Sequence, residues 1–347
     1  MQTLLQKKIK LFPLFLSKSG CDYHRVKLPY LFGAQYIDDD PYKGFSEQKM
    51  LEFMGISELL VYNRNFPLGL ERLQKIREKS DMKVVVDLDD YWKLPDYHPN
   101  YYQYKNSAAR EIIENLKAAD CVTVTTDRLY NRVKEYNKNV HVIPNALPFG
   151  YSQFTHQPER EENQNFNFIY TGQSSHLEDV RIMQADIKRA SRLWFISFTV
   201  AGYKSGGLAG KVWYGIETVF NQGAPYTRID ALSLERYMTV YDNADCSLVP
   251  LCLNDFNSCK SNLKILEAAC KKIPCIVSWV PPYRDDADAP VLWVKSPGEW
   301  YQHIKFLSEN RDYAKEMGEQ LYEWAKERFD LIKWNRVRFE LYQSLIN

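Results

Sequence analysis

KSNLKILEAACKKIPCIVS, Lys260–Ser278, combines an amphipathic helix, a proline and a short apolar strand. On a helix from Lys260 to Ile273, the leucines, Cys270 and Ile273 form one apolar stripe. Glu267 lies at the margin of that stripe, and three lysines share its side of the helix. Exposed ion pairs of this kind are common on solvated surfaces, so the rest of the chain has to decide what the glutamate does.

Short apolar runs alternate with helical patterns along the whole chain. The first half contains the predicted buried strands KIKLFPLFL, SELLVY, KVVVDL, CVTVT and VHVIP, separated by segments with apolar residues at helical spacing. After a polar, aperiodic stretch the alternation restarts with FNFIYTG and continues through LWFISFTVAG, DCSLVPL, PCIVS and VLWVK. Strands that alternate with helices predict parallel sheets covered on both faces, so the expected fold class is α/β.

The break in this alternation divides the chain. We predict one βα-rich domain over residues 1–150, a linker at 151–165 and a second βα-rich domain over 166–330. We expect a cleft between the two domains. Ligands of parallel sheets bind beyond the carboxyl ends of the strands, which places the predicted site there.

The composition is that of an ordinary globular protein, with 45% apolar and 26% charged residues. The formal net charge of +1 provides no global basic field for nucleic acid, although a local basic groove would not alter the sum. None of the seven cysteines forms a C-x-x-C pair, which predicts free thiols in a reducing compartment. The apolar N-terminal stretch contains Pro13 and is too short to span a bilayer, so we expect a cytoplasmic protein without a transmembrane segment.

The start of the predicted Lys260 helix is expected at the mouth of the second sheet. Free N–H groups and the positive dipole end suit a phosphate there, and Lys260 would add a full charge. The Cys259–Asn262 turn, with Ser261 and Asn262, would surround that phosphate. Glu267, two turns further along, could accept hydrogen bonds from the hydroxyls of a ribose. A phosphate followed by a ribose predicts a nucleotide site.

The longer segment DNADCSLVPLCLNDFNSCKSNLKILEAACKKIPCIVS, Asp242–Ser278, resembles the donor site of nucleotide-sugar glycosyltransferases of the GT-B fold, near glycosyltransferase family 4. Those enzymes carry two glutamates separated by seven residues, and Glu267 matches the second, which binds the donor ribose. The first would fall on Cys259, so that half of the motif is missing. The resemblance implies two Rossmann-like domains that face each other across a cleft, the first for the acceptor and the second for the donor.

GCDYHRVKLPYLFG, Gly20–Gly33, follows the first strand and resembles a stretch of one branch of these enzymes. Arg25 of this stretch would reach a phosphate or a sugar in the cleft. The alternative is an ordinary strand-to-helix turn with a solvated arginine. VHVIPNALP, Val140–Pro148, resembles the end of the first domain in the fold, and the resemblance implies that the last helix, 331–347, crosses back onto that domain.

VVVDLDDYWKLPDYHPN, Val84–Asn100, resembles the D-x-D-D-x-W-x-x-P loop of the same branch. Helix capping and solvation account for most aspartates at strand ends. With Trp92 and His98 nearby, however, we predict an acceptor platform in which Asp89 or Asp90 orients a hydroxyl or serves as a base.

The Asp87-Leu88-Asp89 sequence also resembles the D-x-D metal motif of the other large glycosyltransferase fold, in which a divalent ion bridges the donor phosphates. The motif lies in the half opposite the predicted donor site, and GT-B enzymes usually need no metal. We therefore predict no metal site and no required cofactor besides the nucleotide-sugar donor.

IYTGQSSHLEDV, Ile169–Val180, resembles a donor-site stretch of the family. Gly172 and Ser174 belong to a loop before a helix predicted from about Ser175 to Arg192, and such a helix start suits a phosphate or a sugar hydroxyl. His176 and Asp179 are three residues apart on one helix face, so Asp179 would fix the imidazole tautomer. A histidine at this place is more often structural or solvated, and the resemblance favours a donor-site role.

TVAGYKSGG, Thr199–Gly207, ends another strand of the second half. Related enzymes place a basic residue and a base-stacking residue near this position. Lys204 would neutralise the diphosphate and Tyr203 would stack on the base. A flexible glycine loop with an exposed lysine is the alternative.

The resemblance implies a hexosyltransferase that moves a sugar from a nucleotide diphosphate sugar, with UDP-sugars such as UDP-glucose favoured, to a hydroxyl of a glycan or small molecule. Lys260, Lys204 and the amides of the predicted helix start would stabilise the charge on the leaving diphosphate, and domain closure would assemble the site.

Two other functions stay open. A phage-type enzyme with this fold would glycosylate hydroxymethylated bases in DNA, and it would need a basic groove in the first domain, for which the candidates are Lys7, Lys8, Lys10, Lys18, Arg25 and Lys27. A nucleotide-sugar-binding protein without catalysis is the third hypothesis, and the missing first glutamate is its best support.

Overall fold

The computed structural model describes residues 8–15, 19–37, 47–156 and 165–347. Contacts divide the chain into two compact units, which are described here one at a time. The first unit comprises Met1–Ala146, Cys259–Ser261 and Leu331–Asn347, and the second comprises Leu147–Ser258 and Asn262–Asp330. Most of the predicted linker (157–164), Lys7 and Lys18 lie outside the described residues.

The first unit contains a five-stranded parallel sheet whose strands follow one another in chain order. Nearly every strand position is buried, as expected for a sheet with two covered faces. Pro13 has no N–H to donate and lies on the edge strand β1, where that loss is tolerated. The strands are β1 Leu11–Leu14, β2 Leu59–Asn63, β3 Lys83–Leu88, β4 Cys121–Val124 and β5 Val140–Val142.

Helices connect the strands of the first unit at the predicted places but are shorter than the apolar patterns suggest. A π-helical turn, Tyr23–Lys27, joins the first two helices, and another, Tyr104–Ala108, precedes the sixth. The helices are α1 Gly20–Asp22, α2 Leu28–Leu31, α3 Glu47–Ile56, α4 Leu70–Arg77, α5 Tyr101–Gln103, α6 Ala109–Ala118 and α7 Asp127–Val133.

The C-terminal helix of the chain also packs in the first unit. Asn335 is fully buried, and its amide donates to the Pro29 carbonyl over 2.8 Å. Phe339 stacks on Tyr36 with ring centroids 4.7 Å apart. A side chain on Gly33 would collide with the Phe339 ring, so a glycine is needed there for close packing. We call this helix α15, Leu331–Ile346.

The second unit contains a six-stranded parallel sheet in the order β11-β10-β9-β6-β7-β8. The predicted apolar runs form five of these strands. The edge strand β8 was not predicted, because its side chains are largely exposed and its sequence has no apolar run. The strands are β6 Phe166–Thr171, β7 Ile196–Tyr203, β8 Tyr226–Asp230, β9 Cys246–Val249, β10 Cys275–Ser278 and β11 Leu292–Val294.

Two predicted helices of the second unit have different bounds in the structure. The helix predicted from Ser175 to Arg192 is broken at Ile182–Met183 into α8 and α9. The helix predicted from Lys260 to Ile273 spans only Leu263–Cys270. The helices are α8 Leu177–Arg181, α9 Gln184–Ala190, α10 Gly207–Phe220, α11 Asp255–Ser258, α12 Leu263–Cys270, α13 Glu299–Glu309 and α14 Arg311–Phe329.

Both ends of α12 have a local cause. Upstream, the Asn254 carboxamide accepts from the Asn257 N–H over 2.8 Å and so starts the separate helix α11. Downstream, Lys272 has φ +55°, a left-handed conformation that ends the helix. A Cβ on Gly318 of α14 would lie 2.0 Å from the Lys272 carbonyl oxygen, so this helix end rests directly on a glycine. None of the helices in the described ranges has both the length and the apolarity needed to cross a bilayer.

Candidate functional site

The carboxyl ends of β6 and β7 meet at two glycines in the second unit. The Gly172 N–H donates to the Ala201 carbonyl over 3.1 Å. Gly202 has φ +108°, and a Cβ on it would lie 2.1 Å from the Gly172 oxygen. The ends of the two strands approach each other so closely that only glycine fits at this position. Gly172, the predicted phosphate-loop residue, therefore lies at the sheet edge where ligands of parallel sheets bind.

Glu267 lies on α12 inside the second unit and is 4% exposed. Its Oε2 accepts hydrogen bonds from the Tyr241 hydroxyl at 2.8 Å and from the Tyr237 hydroxyl at 3.4 Å. The Tyr241 oxygen also lies 2.8 Å from Oγ1 of Thr171, the last residue of β6. The carboxylate that was predicted to bind a ribose is thus anchored at the carboxyl end of the sheet.

Glu267 is a buried carboxylate, and only one of its two oxygens accepts hydrogen bonds from the described residues. Burial raises its pKa above the ordinary value, and the Lys264 ammonium and the two phenol hydroxyls oppose that rise. Lys264 is held nearby, because its Nζ donates to the Thr171 carbonyl. Both hydrogen bonds recorded for the carboxylate reach Oε2, and within the described part of the chain none reaches Oε1. A ligand hydroxyl that donates to Oε1 would relieve the cost of burying this group.

His176 and Asp179 form the predicted pair. The imidazole Nδ1 lies 2.7 Å from Asp179 Oδ2, so an Nδ1–H donor leaves Nε2 as the acceptor of the neutral ring. Asp179 is itself buried, and its Oδ1 accepts from the Cys252 N–H at 2.8 Å and the Asn257 amide at 2.9 Å. The aspartate ties the histidine to the chain that follows β9, which gives the imidazole a fixed orientation.

The loop after β7 differs from the prediction at Tyr203. The Arg228 guanidinium lies 4.0 Å from the centre of the Tyr203 ring, and the edge of Trp213 contacts the same tyrosine. An arginine therefore covers one face of the tyrosine that was predicted to stack on a base. Lys204 is exposed, and Ser174 is half-buried in a short 3₁₀ turn before α8, as a phosphate-contacting role would require.

Lys260 precedes α12 instead of opening it, since the helix begins at Leu263. The short segment Cys259–Ser261 belongs to the first unit by its contacts. Lys260 Nζ lies 3.6 Å from Asp90 Oδ1, so its charge faces a carboxylate of the first sheet. The predicted helix-start site that combined Lys260 with the amides of α12 is corrected accordingly.

Ser261 and Asn262 are each engaged by a side chain of their own unit. The Asn145 amide donates to Ser261 Oγ over 2.7 Å in the first unit. In the second unit Asn262 is buried as the residue before α12, and its amide donates to Asp286 Oδ2 over 2.7 Å. Ser261 accepts in its contact, so the contact does not use its hydroxyl proton, whereas the Asn262 amide already donates to a carboxylate.

Arg25 lies in the core of the first unit and is 1% exposed. Its Nε and Nη2 donate to the two oxygens of Asp87, both over 2.8 Å, and its Nη1 donates to Asn145. Thr123 donates a further hydrogen bond to the same carboxylate at 2.6 Å. The predicted contact of Arg25 with a ligand is not compatible with this burial, because each of the three guanidinium nitrogens already donates to a structural partner.

Arg64 organises a polar cluster at the carboxyl ends of β2 and β3. Its Nη2 donates to Asp89 Oδ1 at 3.1 Å, to Asp90 Oδ2 at 2.9 Å and to the Cys21 sulfur at 3.1 Å. Burial alone would raise the pKa of Asp89, but the Arg64 charge and the Cys21 thiol outweigh it and lower the pKa. Asp89 is therefore held as a carboxylate at the edge of the first sheet, beside Asp90, where both residues were predicted to handle an acceptor hydroxyl.

Ligand atoms of Cys21, Asp89 and Asp90 lie within 4.8 Å of one another, a spacing that a metal ion could bridge. The Arg64 guanidinium already donates to all three groups, and Lys260 adds a second positive charge beside Asp90. These two cations supply the countercharge that a divalent ion would otherwise bring.

Trp92 and His98 do not form an exposed platform. Trp92 is 2% exposed and packs edge-on against Tyr136, so it belongs to the core of the first unit. His98 is half-buried, and its Nδ1 accepts from the Asn100 N–H over 3.1 Å. The predicted acceptor role of Trp92 is corrected, because no face of its ring is open to a sugar.

Sequence reasoning missed two parts of the site. Tyr237 and Tyr241 lie four residues apart on one 3₁₀ turn before β9, and that spacing was the available signal. Arg64 directly follows β2 in the sequence Asn-Arg-Asn, and it has the unusual φ of +61°. A polar triplet at a strand's carboxyl end is the signal that would have identified it.

The structure is similar to several solved glycosyltransferases at low sequence identity. HepE from Anabaena in complex with UDP-glucose has a TM-score of 0.65 at 11% identity, over 93% of this chain and 90% of that chain. A glycosyltransferase from Rickettsia africae has a TM-score of 0.61 at 12% identity, over 92% and 88% of the two chains. An α-glucosyltransferase in complex with UDP and a 13-mer DNA containing an HMU base has a TM-score of 0.60 at 14% identity, over 85% and 82%.

In sequence, no protein-family model and no curated protein matches the chain. The structural likenesses nevertheless extend over most of the chain and over most of each solved protein. The chain therefore has the fold of GT-B glycosyltransferases, and the predicted α/β class with two parallel sheets is confirmed.

Proposed function

We propose that this protein is a glycosyltransferase that moves a hexose from a nucleotide diphosphate sugar, preferably a UDP-sugar, to a hydroxyl of a glycan or small molecule. The observation that carries the proposal is Glu267, a buried carboxylate at the carboxyl edge of the second sheet whose Oε1 receives no hydrogen bond from the described residues. A ribose hydroxyl of the donor fills that oxygen. The second unit is accordingly the donor domain, and the first unit is the acceptor domain.

The reaction joins the acceptor oxygen to the anomeric carbon while the bond from that carbon to the diphosphate oxygen breaks. The acceptor proton passes to a base, for which Asp89 and Asp90 are the candidates, and the diphosphate leaves with the electron pair. Lys204 provides positive charge for the leaving group, and His176 provides a fixed hydrogen-bonding group at the sheet edge. Binding energy from the ribose on Glu267 holds the reacting carbon in place.

The proposal includes catalysis without a metal ion. The acidic cluster of the first unit is neutralised by Arg64 and Lys260, and the second unit offers lysines for the diphosphate. Transfer should therefore continue in the presence of a chelator such as EDTA.

A DNA acceptor is the second candidate, because one solved relative of the fold carries UDP and DNA with an HMU base. A duplex containing hydroxymethylated bases, tested beside glycans and small alcohols, distinguishes the two acceptor classes. The third candidate, binding without catalysis, draws support from Cys259, a buried thiol at the position of the first motif glutamate.

The test is release of nucleoside diphosphate from a panel of UDP-, ADP- and GDP-sugars with each acceptor class, with and without EDTA. We expect one donor to be consumed at a rate that EDTA leaves unchanged. Donor binding without turnover on any acceptor would instead support the non-catalytic candidate. A rate that EDTA abolishes and Mg²⁺ or Mn²⁺ restores would contradict metal independence.

A further inference from the structure

The two tyrosines beside Glu267 donate hydrogen bonds to the same oxygen of its carboxylate. Tyr241 and Tyr237 both donate to Oε2, at 2.8 and 3.4 Å, and no described residue donates to Oε1. A carboxylate oxygen accepts about two hydrogen bonds, so Oε2 has its full complement and Oε1 does not. Three of the four groups in this cluster are nearly inaccessible to water, at 1% for Tyr241, 2% for Thr171 and 4% for Glu267.

The hydrogen bonds that link Thr171, Tyr241 and Glu267 all have the same donor-to-acceptor direction, from the threonine to the carboxylate. The Tyr241 hydroxyl has a single proton, which it gives to Glu267, so the Thr171 hydroxyl must donate to the Tyr241 oxygen over their 2.8 Å contact. Thr171 is the last residue of β6 and cannot move independently of the sheet. The chain from Thr171 through Tyr241 to Oε2 therefore fixes the plane of the carboxylate before any ligand arrives.

We propose that Tyr241, assisted by Tyr237, is a positioning residue that holds Glu267 by Oε2, so that Oε1 alone receives one hydroxyl of the donor ribose. The inference rests on the proposed function, in which a nucleotide ribose occupies this site. A carboxylate free to rotate would accept from both ribose hydroxyls, one on each oxygen. With Oε2 held by the two tyrosines, the ribose hydroxyls no longer have one oxygen each. In the proposed arrangement one hydroxyl lies in line with Oε1, and the second contributes little to affinity.

The test compares UDP with 2′-deoxy-UDP and 3′-deoxy-UDP by isothermal titration calorimetry. On the wild-type protein we expect one deoxy analogue to bind about tenfold or more weakly than UDP, because a hydrogen bond to a charged group is lost, and the other to bind within about twofold of UDP. The expected pattern thus assigns which of the two hydroxyls meets Oε1.

The Tyr241→Phe variant separates positioning from simple packing, because only the hydroxyl is removed. We expect its affinity for UDP to fall about threefold to tenfold while its affinity for the sensitive deoxy analogue stays near the wild-type value. Tyr237→Phe should show the same pattern more weakly, since its hydrogen bond is longer. Tyr313→Phe is the matched control, a half-exposed tyrosine on α14, and should behave as the wild type.

Two results overturn the inference while leaving the proposed function intact. One is a wild-type protein that binds UDP but loses affinity equally with both deoxy analogues, as two-point recognition requires. The other is a folded Tyr241→Phe variant that discriminates between UDP and the deoxy analogues as strongly as the wild type. If UDP, ADP and GDP all fail to bind the wild type, the proposed function itself is wrong, and the inference falls with it.

Discussion

Two buried carboxylates of this protein, Asp87 and Glu267, differ in whether the fold supplies hydrogen bonds to both of their oxygens. Asp87 in the first unit receives two bonds from Arg25 and one from Thr123, so its oxygens are filled by the fold. Glu267 in the second unit receives its hydrogen bonds on Oε2, and nothing in the described ranges of the chain donates to Oε1. A saturated carboxylate stabilises a structure, whereas an unsaturated one is available to a ligand.

Arg25→Ala should be strongly destabilising, because it leaves Asp87 as an uncompensated buried charge. We expect the free energy of unfolding to fall by about 3–5 kcal/mol in urea titrations. Arg110→Ala, an exposed arginine on α6, is the control and should stay within about 0.5 kcal/mol of the wild type. A similarly small effect of Arg25→Ala would mean that the pair is not buried in solution.

His24 should make stability depend on pH. Burial, with the Arg25 charge adding to it and Asp89 opposing it, lowers its pKa from 6.5 to about 4. Because the unfolded chain binds the proton first, stability is lost as the pH falls from 6.5 toward 4, by about 3 kcal/mol in total. His24→Gln should flatten the unfolding free energy over that window, and His141→Gln, at an exposed position of β5, is the control variant. Identical pH profiles of the wild type and His24→Gln would contradict a buried neutral imidazole.

Individual contacts explain why the sequence predicted some side-chain pairs and missed others. His176 and Asp179 are close in the chain, so their pairing could be read from their spacing. Arg25 and Asp87 are 62 positions apart, and nothing in either local pattern indicates that they meet. Arg25 was therefore assigned to a ligand, although the fold had already satisfied it.

Among the secondary-structure elements, apolar strands were predictable and helix ends were not. The runs at β3, β6 and β10 are buried on both faces, so hydrophobicity alone identifies them. β8 is an edge strand with exposed side chains and carries no such signal. The Asn254 cap upstream of α12 is local, but the end of α12 packs on Gly318 of a distant helix, and no local pattern contains that contact.

Gly318→Ala should destabilise the second unit, because its Cβ would lie 2.0 Å from the Lys272 carbonyl oxygen and 2.7 Å from its carbon. Backbone cannot yield as a flexible side chain would, so we expect a loss of about 1–3 kcal/mol in chemical denaturation. Gly210→Ala is the matched control in α10, where the nearest atom is 3.8 Å away, and it should be neutral or stabilising. Equal stability of the two variants would refute the close contact between α12 and α14.

At the level of the whole chain, two parallel sheets and a C-terminal helix returning to the first unit place the protein among the GT-B folds. The fold alone does not select a substrate, because the same architecture carries glucose donors and DNA acceptors in different proteins. Function has to be argued from the polar groups at the sheet edges, and Glu267 is the most informative of them.

Calorimetric titration of UDP into the wild type and the Glu267→Ala variant tests the central claim most directly. We predict saturable binding to the wild type and an affinity about tenfold to hundredfold weaker in the variant, since a hydrogen bond to a buried charge is lost. Glu309→Ala, an exposed glutamate on α13, should bind as the wild type does. Equal affinity of the wild type and a folded Glu267→Ala variant would contradict the account.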